Sequence, residues 1–398
     1  MKNIILFDDK TTRDNLLPLT FTRPTALLRF GISTIQEKWM RAIPGAYSFL
    51  TIDYLRAKYP VNITPDNIFI AGHICPNESL IGAINNLSQG EAIIDAKGNI
   101  LAARGSIEDF NNRASLHATS IEQSPLAINM LYDIFVLNDT ALLQDFAAIT
   151  AGRKSQPLSN TNSVVGNPLF ADGTPKIFIE EGATVEAAIL NVNKGPIYIG
   201  KDAEIMEGSC IRGPFALCEN AVVNMGARIY GATTIGPHCK VGGEDNNVVM
   251  IGYSNKAHDG FLGNAVIGEW CNLGGGTTAS NLKNDYTEIK LWNYPAHRFL
   301  RTGLQFCGLI MGDHSKAGVN CMFNTATVVG VGVNIHGSGF PRNFVASFSE
   351  GSSAGFTDVS LNKFFDIAHR MMARRNIELT DIDQQIFQAI YNIADTYK

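Results

Sequence analysis

An α/β layer domain, then a parallel β-helix, then a C-terminal helical tail is the architecture that this 398-residue sequence predicts, and three observations predict it. Within residues 197–244 an aliphatic residue returns at every sixth position, through Ile199, Ile205, Ile211, Leu217, Val223, Ile229, Ile235 and Val241. A second column two residues earlier, Ala203, Ser209, Phe215, Ala221, Ala227, Thr233 and Cys239, is small in all but one case. Neither α-helix nor hairpin has a period of six. A parallel β-helix of hexapeptide repeats does, because each short strand sends one large residue inward while a small one lets the chain turn the corner. Before this repeat, short apolar runs alternate with helical patterns; after it, Ile386, Ile390 and Ile393 take helical spacing.

Residues 1–152 carry the alternation, with strands expected at 4–7, 68–71 and 92–95 and helices at 32–43 and 79–87, the signature of an α/β layer. Residues 153–175 shift to Ser, Asn, Thr, Gly and Pro, which is linker chemistry. The β-helix is expected over 176–350. It begins near Ile177 and Ile179, slips around Asn191 and runs regularly to Val241. An irregular loop, residues 243–261, follows; coil-like spacing then returns at Leu262, Ile267 and Leu273, and again from Ile310 through Val328 to Ile335. Residues 282–306 read as an insertion carrying Lys283, Lys290, Arg298 and Arg301, and loops thrown out of a solenoid usually build its binding face. Residues 351–398 are expected to be helical, with Thr380 and Asp383 spaced as a capping box, and to cover the last coil.

Bulk composition limits the function classes. Hydrophobic residues make up 45% and charged ones 17%, and the net charge is -5 with a pI near 5.9. Nucleic-acid and membrane surfaces want clustered Lys and Arg, so neither partner is expected. The start, MKNIILF, is too short an apolar run for a signal peptide and no run reaches a membrane span, so the expected location is cytoplasmic. Seven cysteines form no CxxC pair, and Cys239 falls in the inward small column; reduced thiols are expected, and no metal site.

The densest cluster of reactive side chains lies in the irregular loop, Lys256-Ala257-His258-Asp259-Gly260-Phe261, followed by Asn272-Leu273-Gly274-Gly275-Gly276-Thr277. A histidine titrates near neutrality and suits general-base work, and glycine-rich backbone offers fixed N–H donors to a developing oxyanion. The run KAHDGFLGNAVIGEWCNLGGGTTASN resembles the acetyltransferase motif of the bifunctional N-acetylglucosamine-1-phosphate uridylyltransferase / glucosamine-1-phosphate acetyltransferase family, in its divergent Bacteroidetes branch. The resemblance implies a left-handed β-helix, a homotrimer with sites between subunits, and acetyl-CoA as co-substrate. It makes His258 the base and Asn281 the residue that orients acetyl or amine. Lys256, Phe261 and Asn272 would bind the sugar, Phe261 standing where the family has tyrosine, and Gly274, Gly275, Gly276, Thr277 and Gly318 would line the cofactor. The family's phosphate-gripping arginine and lysine fall here on Glu219 and Asn247, which leaves Lys283, Arg298 or Arg301 to replace them, or a different amino sugar as acceptor. His238, His336 and Arg212 stand at coil positions without a motif and read as structural or surface residues.

The run LLPLTFTRPTALLRFG, residues 16–31, resembles the sugar-nucleotidyltransferase signature, which implies a nucleotidyltransferase-like (Rossmann-like) fold for the first domain. The catalytic pattern departs from that family. Phe7 leads into Asp8-Asp9-Lys10-Thr11-Thr12-Arg13 with no glycine and two carboxylates; the signature lysine is Thr25; and Gly72-His73 stands where the family has Gly-Asp for magnesium. Asp9, Arg13 and Arg23 are the candidate nucleotide-binding residues, and Mg2+ enters only if nucleotidyl transfer operates. Three readings follow. The first is an acetyl-CoA-dependent N-acetyltransferase acting on an amino sugar or its 1-phosphate. The second is a sugar-1-phosphate nucleotidyltransferase whose β-helix assembles the oligomer, and the third is a non-catalytic sugar-nucleotide-binding scaffold.

Overall fold

The computed structural model describes residues 1–121 and 123–398. The chain falls into two compact units, one of Met1–Leu28, Ser33–Met130 and Asp381–Ile386, the other of Arg29–Ile32, Leu131–Thr380 and Phe387–Lys398.

The first unit holds a six-stranded sheet of β1 (Lys2–Phe7), β2 (Gly45–Leu50), β3 (Asn67–Ala71), β4 (Glu91–Ile94), β5 (Ile100–Gly105) and β6 (His117–Ser120) in the order β2-β1-β3-β5-β4-β6. All neighbours are parallel except those of β5, which runs antiparallel to β3 and β4. Strand β1 is fully apolar from Ile4 to Phe7 and buried on both faces, as a central parallel strand requires. The helices are α1 (Lys10–Asn15), α2 (Ile35–Ala42), α3 (Glu78–Asn86) and α4 (Ile107–Asn111). The helix expected to begin at Ile32 begins at Ile35, because Thr34 and Glu37 close a capping box there.

The second unit is the parallel β-helix. Its strands stack on three faces, and every aliphatic residue of the six-residue column is at most 2% exposed, as is every member of the small column. The register gives the coil length: Glu204 pairs with Val222 and Val222 with Lys240, eighteen residues per coil. Three residues per strand-and-turn would expose the core; six, taken three times, close a triangular prism.

Three expectations change here. The residues read as a linker start the β-helix: Ser163–Val165 pairs in parallel with Ile189–Asn191, and Asn162 donates from Nδ2 to the Val185 carbonyl, its Oδ1 accepting from Ala188 N–H. Ser, Asn and Gly are corner residues as well as linker residues, which is why composition alone misread them. Secondly, α5 (Asp133–Val136) and α6 (Asn138–Thr150) belong to the β-helix unit: Leu142 and Phe146 pack with Phe178, Ala216 and Ala232. The segment Arg29–Ile32 joins them, Gly31 N–H donating to Asn138 Oδ1 at 2.8 Å and Ile32 N–H to Asp145 Oδ2 at 2.8 Å. Thirdly, the irregular loop is a strand-built coil, Glu244–Gly252 followed by Asn255–Lys256. Lys240 pairs with Asn255, so this coil is fifteen residues long rather than eighteen, and the hexad count loses its frame.

One corner of the prism is lined by stacked rings. His238, Tyr253, Trp270 and His314 occupy successive left-handed corner positions, with φ of 58°, 52°, 60° and 59°. Tyr253 stacks on His238 at 4.7 Å and on Trp270 at 4.3 Å between ring centroids. Side chains rarely adopt this backbone region, and ring stacking offsets its cost. Against the end of this ladder pack α7 (Leu361–Ala373) and α8 (Asp381–Ala394), through Phe364 and Phe387 on His314 and through Phe364 on Phe348. The expected helical tail is therefore two helices, preceded by a hairpin of Ser349–Ser352 and Gly355–Asp358. The insertion folds as a second hairpin, Lys290–Asn293 with Arg298–Arg301, whose Trp292 stacks on Phe344 at 4.2 Å. No helix among the described residues is long and apolar enough to cross a membrane.

Candidate functional site

In the β-helix, His258 stands exposed at the corner between the face that holds Asn255–Lys256, the second, and the face that Phe261 opens, the third. The corner of the next coil is Gly274-Gly275-Gly276-Thr277, and that of the following coil includes Gly318. The coils are tied there by Gly276 N–H to Asp259 O at 2.8 Å, Asn320 N–H to Gly275 O at 2.8 Å, and Thr277 Oγ1 to Gly318 O at 3.2 Å. A Cβ on Gly275 would lie 3.5 Å from the His258 Cβ and 3.8 Å from its Cδ2, so the imidazole stands directly over this glycine. Gly260, at φ 129°, has no room for a side chain: a Cβ would meet the Thr277 carbonyl oxygen at 2.0 Å. The structure thus brings His258, Gly274, Gly275, Gly276, Thr277 and Gly318 onto one edge. A bare glycine surface beside an exposed imidazole, with the Gly274 and Gly276 N–H groups already bonded to the Ala317 and Asp259 carbonyls, can accommodate a narrow acyl-thioester arm.

The remaining expected residues divide. Phe261 opens the third face just past the corner, and Asn281 donates from Nδ2 to Asn264 Oδ1 at 2.8 Å; a Cβ on Gly263 would lie 2.6 Å from both Phe261 Cζ and Asn281 Nδ2, so these two side chains flank one glycine. Asn272 is exposed on the second face, in register with Asn255 and Lys316, away from Phe261. Lys283 is engaged within the insertion, donating to Thr287 Oγ1 at 2.7 Å, and Arg301 pairs with Glu288 at 3.0 Å. Glu219 and Asn247 lie at the other two corners, so neither position faces His258.

Lys256 is a correction. It occupies the inward column of the second face, in line with Val241 and Leu273, and is 1% exposed. Its Nζ donates to the carbonyls of Gly242 at 2.7 Å, Gly260 at 2.8 Å and His258 at 3.3 Å, which spends all three protons. Its counter-charge is Asp245, 3.8 Å away and 0% exposed, which takes the inward place between Ile229 and Leu262 on the third face. Burial pushes the Asp245 carboxyl up to about 7, against the pull of Lys256, and burial lowers the Lys256 ammonium. Lys256 therefore holds the His258 corner from inside the prism and presents nothing to a substrate.

The first unit has its own cleft, enclosing about 600 Å³ beyond the carboxyl ends of β1, β3 and β4, where open parallel sheets bind ligands. Asp9, His73, Asp95, Lys97, Arg113 and Asn129 line it. Asp9 also caps α1, accepting from Thr12 N–H at 3.0 Å. Asp8 is buried: Thr25 N–H donates to its Oδ1 at 2.8 Å and Thr51 Oγ1 to its Oδ2. Arg13 and Arg23 are corrected too, at 5% and 4% exposed; Arg13 donates to the Thr20 carbonyl and Tyr54 hydroxyl, both at 2.9 Å, and neither arginine lines the cleft. The cations that do are Lys97 and Arg113. Asp95 was legible as the residue ending a strand, the position from which such folds present ligands.

His73 enters the cleft with Nδ1 enclosed and without a hydrogen-bond partner among the described residues. Burial pulls it down to about 4, against the raising influence of Asp9 and Asp95. A histidine held neutral contributes stability that is full above its ordinary 6.5 and is lost as pH falls from there toward 4. Denaturant unfolding of the first unit should lose roughly 2–3 kcal/mol across that window. His73→Gln should flatten the loss; an unchanged slope would place its source elsewhere.

Residues 4–154 match the family model for sugar nucleotidyl transferases. The chain is 29% identical over 146 residues to a bifunctional sugar-1-phosphate nucleotidylyltransferase/acetyltransferase of Sulfurisphaera tokodaii, an alignment covering 36% of each protein. It is 28% identical over 154 residues to the bifunctional protein GlmU of Wolbachia pipientis wMel, covering 33% of this chain and 36% of that one. The chain thus spans about a third of the length of these relatives. Among solved structures, an Arabidopsis UDP-N-acetylglucosamine acyltransferase aligns at 12% identity with a TM-score of 0.27, over 55% of this chain and 77% of that one. AntD, an N-acyltransferase from Bacillus cereus solved with dTDP and 3-hydroxybutyryl-CoA, aligns at 12% identity with a TM-score of 0.23, over 50% and 89%.

Proposed function

We propose that a chain joining a sugar-nucleotidyl-transferase-like domain to a parallel β-helix is a transferase of nucleotide-sugar metabolism, and that its β-helix moves an acetyl group from acetyl-CoA to the amine of an amino sugar or amino-sugar 1-phosphate. The observation that carries this reading is the placement of His258 over Gly275, beside the open backbone of Gly274–Gly276. The amine nitrogen attacks the thioester carbonyl, forming the C–N bond, while His258 takes the proton that nitrogen releases. Gly274 and Gly276 spend their N–H groups on the Ala317 and Asp259 carbonyls, which leaves the Gly275 N–H as the donor of this corner that stabilises the oxyanion. Collapse then breaks the C–S bond, and the imidazolium returns the proton to the leaving thiolate. Phe261 and Asn281 flank the acceptor from the third face.

A homotrimer is part of the proposal: Met225 and Val319, 70% and 71% exposed, occupy the same corner as His258, and apolar tips beside a site favour a second copy of the chain there. A second reading, nucleotidyl transfer in the first unit, is favoured by the cleft at the strand ends. No group of three or more metal-ligating side chains is found among the described residues. Mg2+ commonly binds through one or two carboxylates with water and phosphate completing its shell, and Asp9 and Asp95 are the pair available.

Thiol release from acetyl-CoA, followed with a panel of amino sugars and their 1-phosphates, tests the first reading; release should require one member of the panel. Pyrophosphate formation from a nucleoside triphosphate and a sugar 1-phosphate, without any thiol release, would replace it with the second.

A further inference from the structure

A groove on the second face of the β-helix lies outside the His258 corner and encloses about 690 Å³. Its floor is an outward ladder of the strands, Lys240, Asn255, Asn272 and Lys316, held in parallel register. Neighbouring strands lie about 4.8 Å apart, so the two lysines stand about 14 Å apart with two amides between them. Its wall is one face of α7 and its C-cap, where Ile367, Arg370, Met371 and the capping Arg374 recur at helical spacing. Arg375 donates to the His238 carbonyl at 3.2 Å and to Asn255 Oδ1 at 3.4 Å, which fixes the end of that wall. Tyr253 and Trp270 close the rim.

The charge of this groove is one-sided. Five cationic side chains line it and no carboxylate does, in a chain whose net charge is -5. The Lys316 ammonium is enclosed and donates to the His314 carbonyl at 2.7 Å, and burial pulls it down to about 8. Enclosing a cation beside other cations costs free energy that an arriving anion recovers, and a cleft focuses that positive field. Lys363, on the same helix, is by contrast paired with Glu350.

We propose that this groove binds a nucleotide through its diphosphate, the phosphates lying between Lys316, Arg370 and Arg374 and the uncharged part over the Asn255 and Asn272 amides, against Ile367 and Met371. Lysines and arginines at both ends of a floor of this length suit an extended ligand charged along its backbone. Two sources share this chemistry: the phosphoadenosine diphosphate of coenzyme A, and the diphosphate of a nucleotide sugar. The inference concerns binding and stands whether or not His258 is a base.

Calorimetric titration of the full chain with inorganic pyrophosphate, ADP, UDP and coenzyme A tests it. Lys316→Met and the pair Arg370→Ala with Arg374→Ala should each weaken pyrophosphate binding at least tenfold, while Lys363→Ala leaves it unchanged. Asn272→Ala should weaken the nucleotides and spare pyrophosphate. Preference for ADP and coenzyme A over UDP assigns the first source, and the reverse order the second. Absence of binding by all four probes at millimolar concentration overturns the proposal. So does binding that these charge removals leave intact, or that Lys363→Ala weakens equally. Melting temperatures of the variants separate lost binding from lost fold.

Discussion

His258→Ala should lower the turnover of acetyl transfer at least about a hundredfold, the lower end of what a positioned general base contributes. The side chain is exposed, at a corner beside Gly275. Its removal should therefore change unfolding stability by no more than about 0.5 kcal/mol. The same variant should bind coenzyme A as the parent does. Steady-state thiol release, read beside a denaturant melt, checks both halves. Full turnover in His258→Ala would end the proposed mechanism, whereas lost turnover together with a lost fold would show that the corner, not the imidazole, had been removed.

The second large effect lies inside the prism. Lys256→Met leaves the Asp245 carboxyl without its counter-charge, and Asp245→Val leaves the Lys256 ammonium without its own, in a core where both groups are essentially inaccessible. Each single change should cost about 3–5 kcal/mol, the usual penalty for an uncompensated buried charge. The double variant restores an apolar ladder, with Val between Ile229 and Leu262 and Met between Val241 and Leu273. It should regain the part of the loss that comes from the unpaired charge, while the Gly242, His258 and Gly260 carbonyls still lack the Lys256 donor. Both Asp245 carboxylate oxygens lack hydrogen-bond partners among the described residues, so little is forfeited on that side. Urea unfolding of the four proteins forms the cycle. Single losses that simply add in the double variant would mean that the pair is not coupled.

Much of the frame was legible in the residues themselves. The eight aliphatics of the six-residue column are all core, and a period of six admits no other regular stack. What was lost was lost where the coil shortens. A register two residues shorter at Asp245 and three shorter at Lys256 moves both into inward columns that a fixed count of six never visits, so a charged pair in the core read as a charged loop. Corner chemistry misled in the same way at residues 159–162, where Ser159 and Asn162 serve a turn that leads into the β-helix strand Ser163–Val165 rather than a linker.

The site was half legible. A histidine followed one coil later by three glycines can be read along the chain, and the fold stacks them because successive coils place corner upon corner. The anion-binding groove could not be read, since Lys240, Asn272, Lys316 and Arg374 are distant in sequence and carry no motif. Local periodicity determined the repeat, its core columns and the candidate corner, because each coil contacts chiefly its neighbours and the pattern is nearly one-dimensional. Only the tertiary structure decided which charges face inward and which meet across a groove. Those outcomes depend on where a coil loses residues and on which face a distant helix covers.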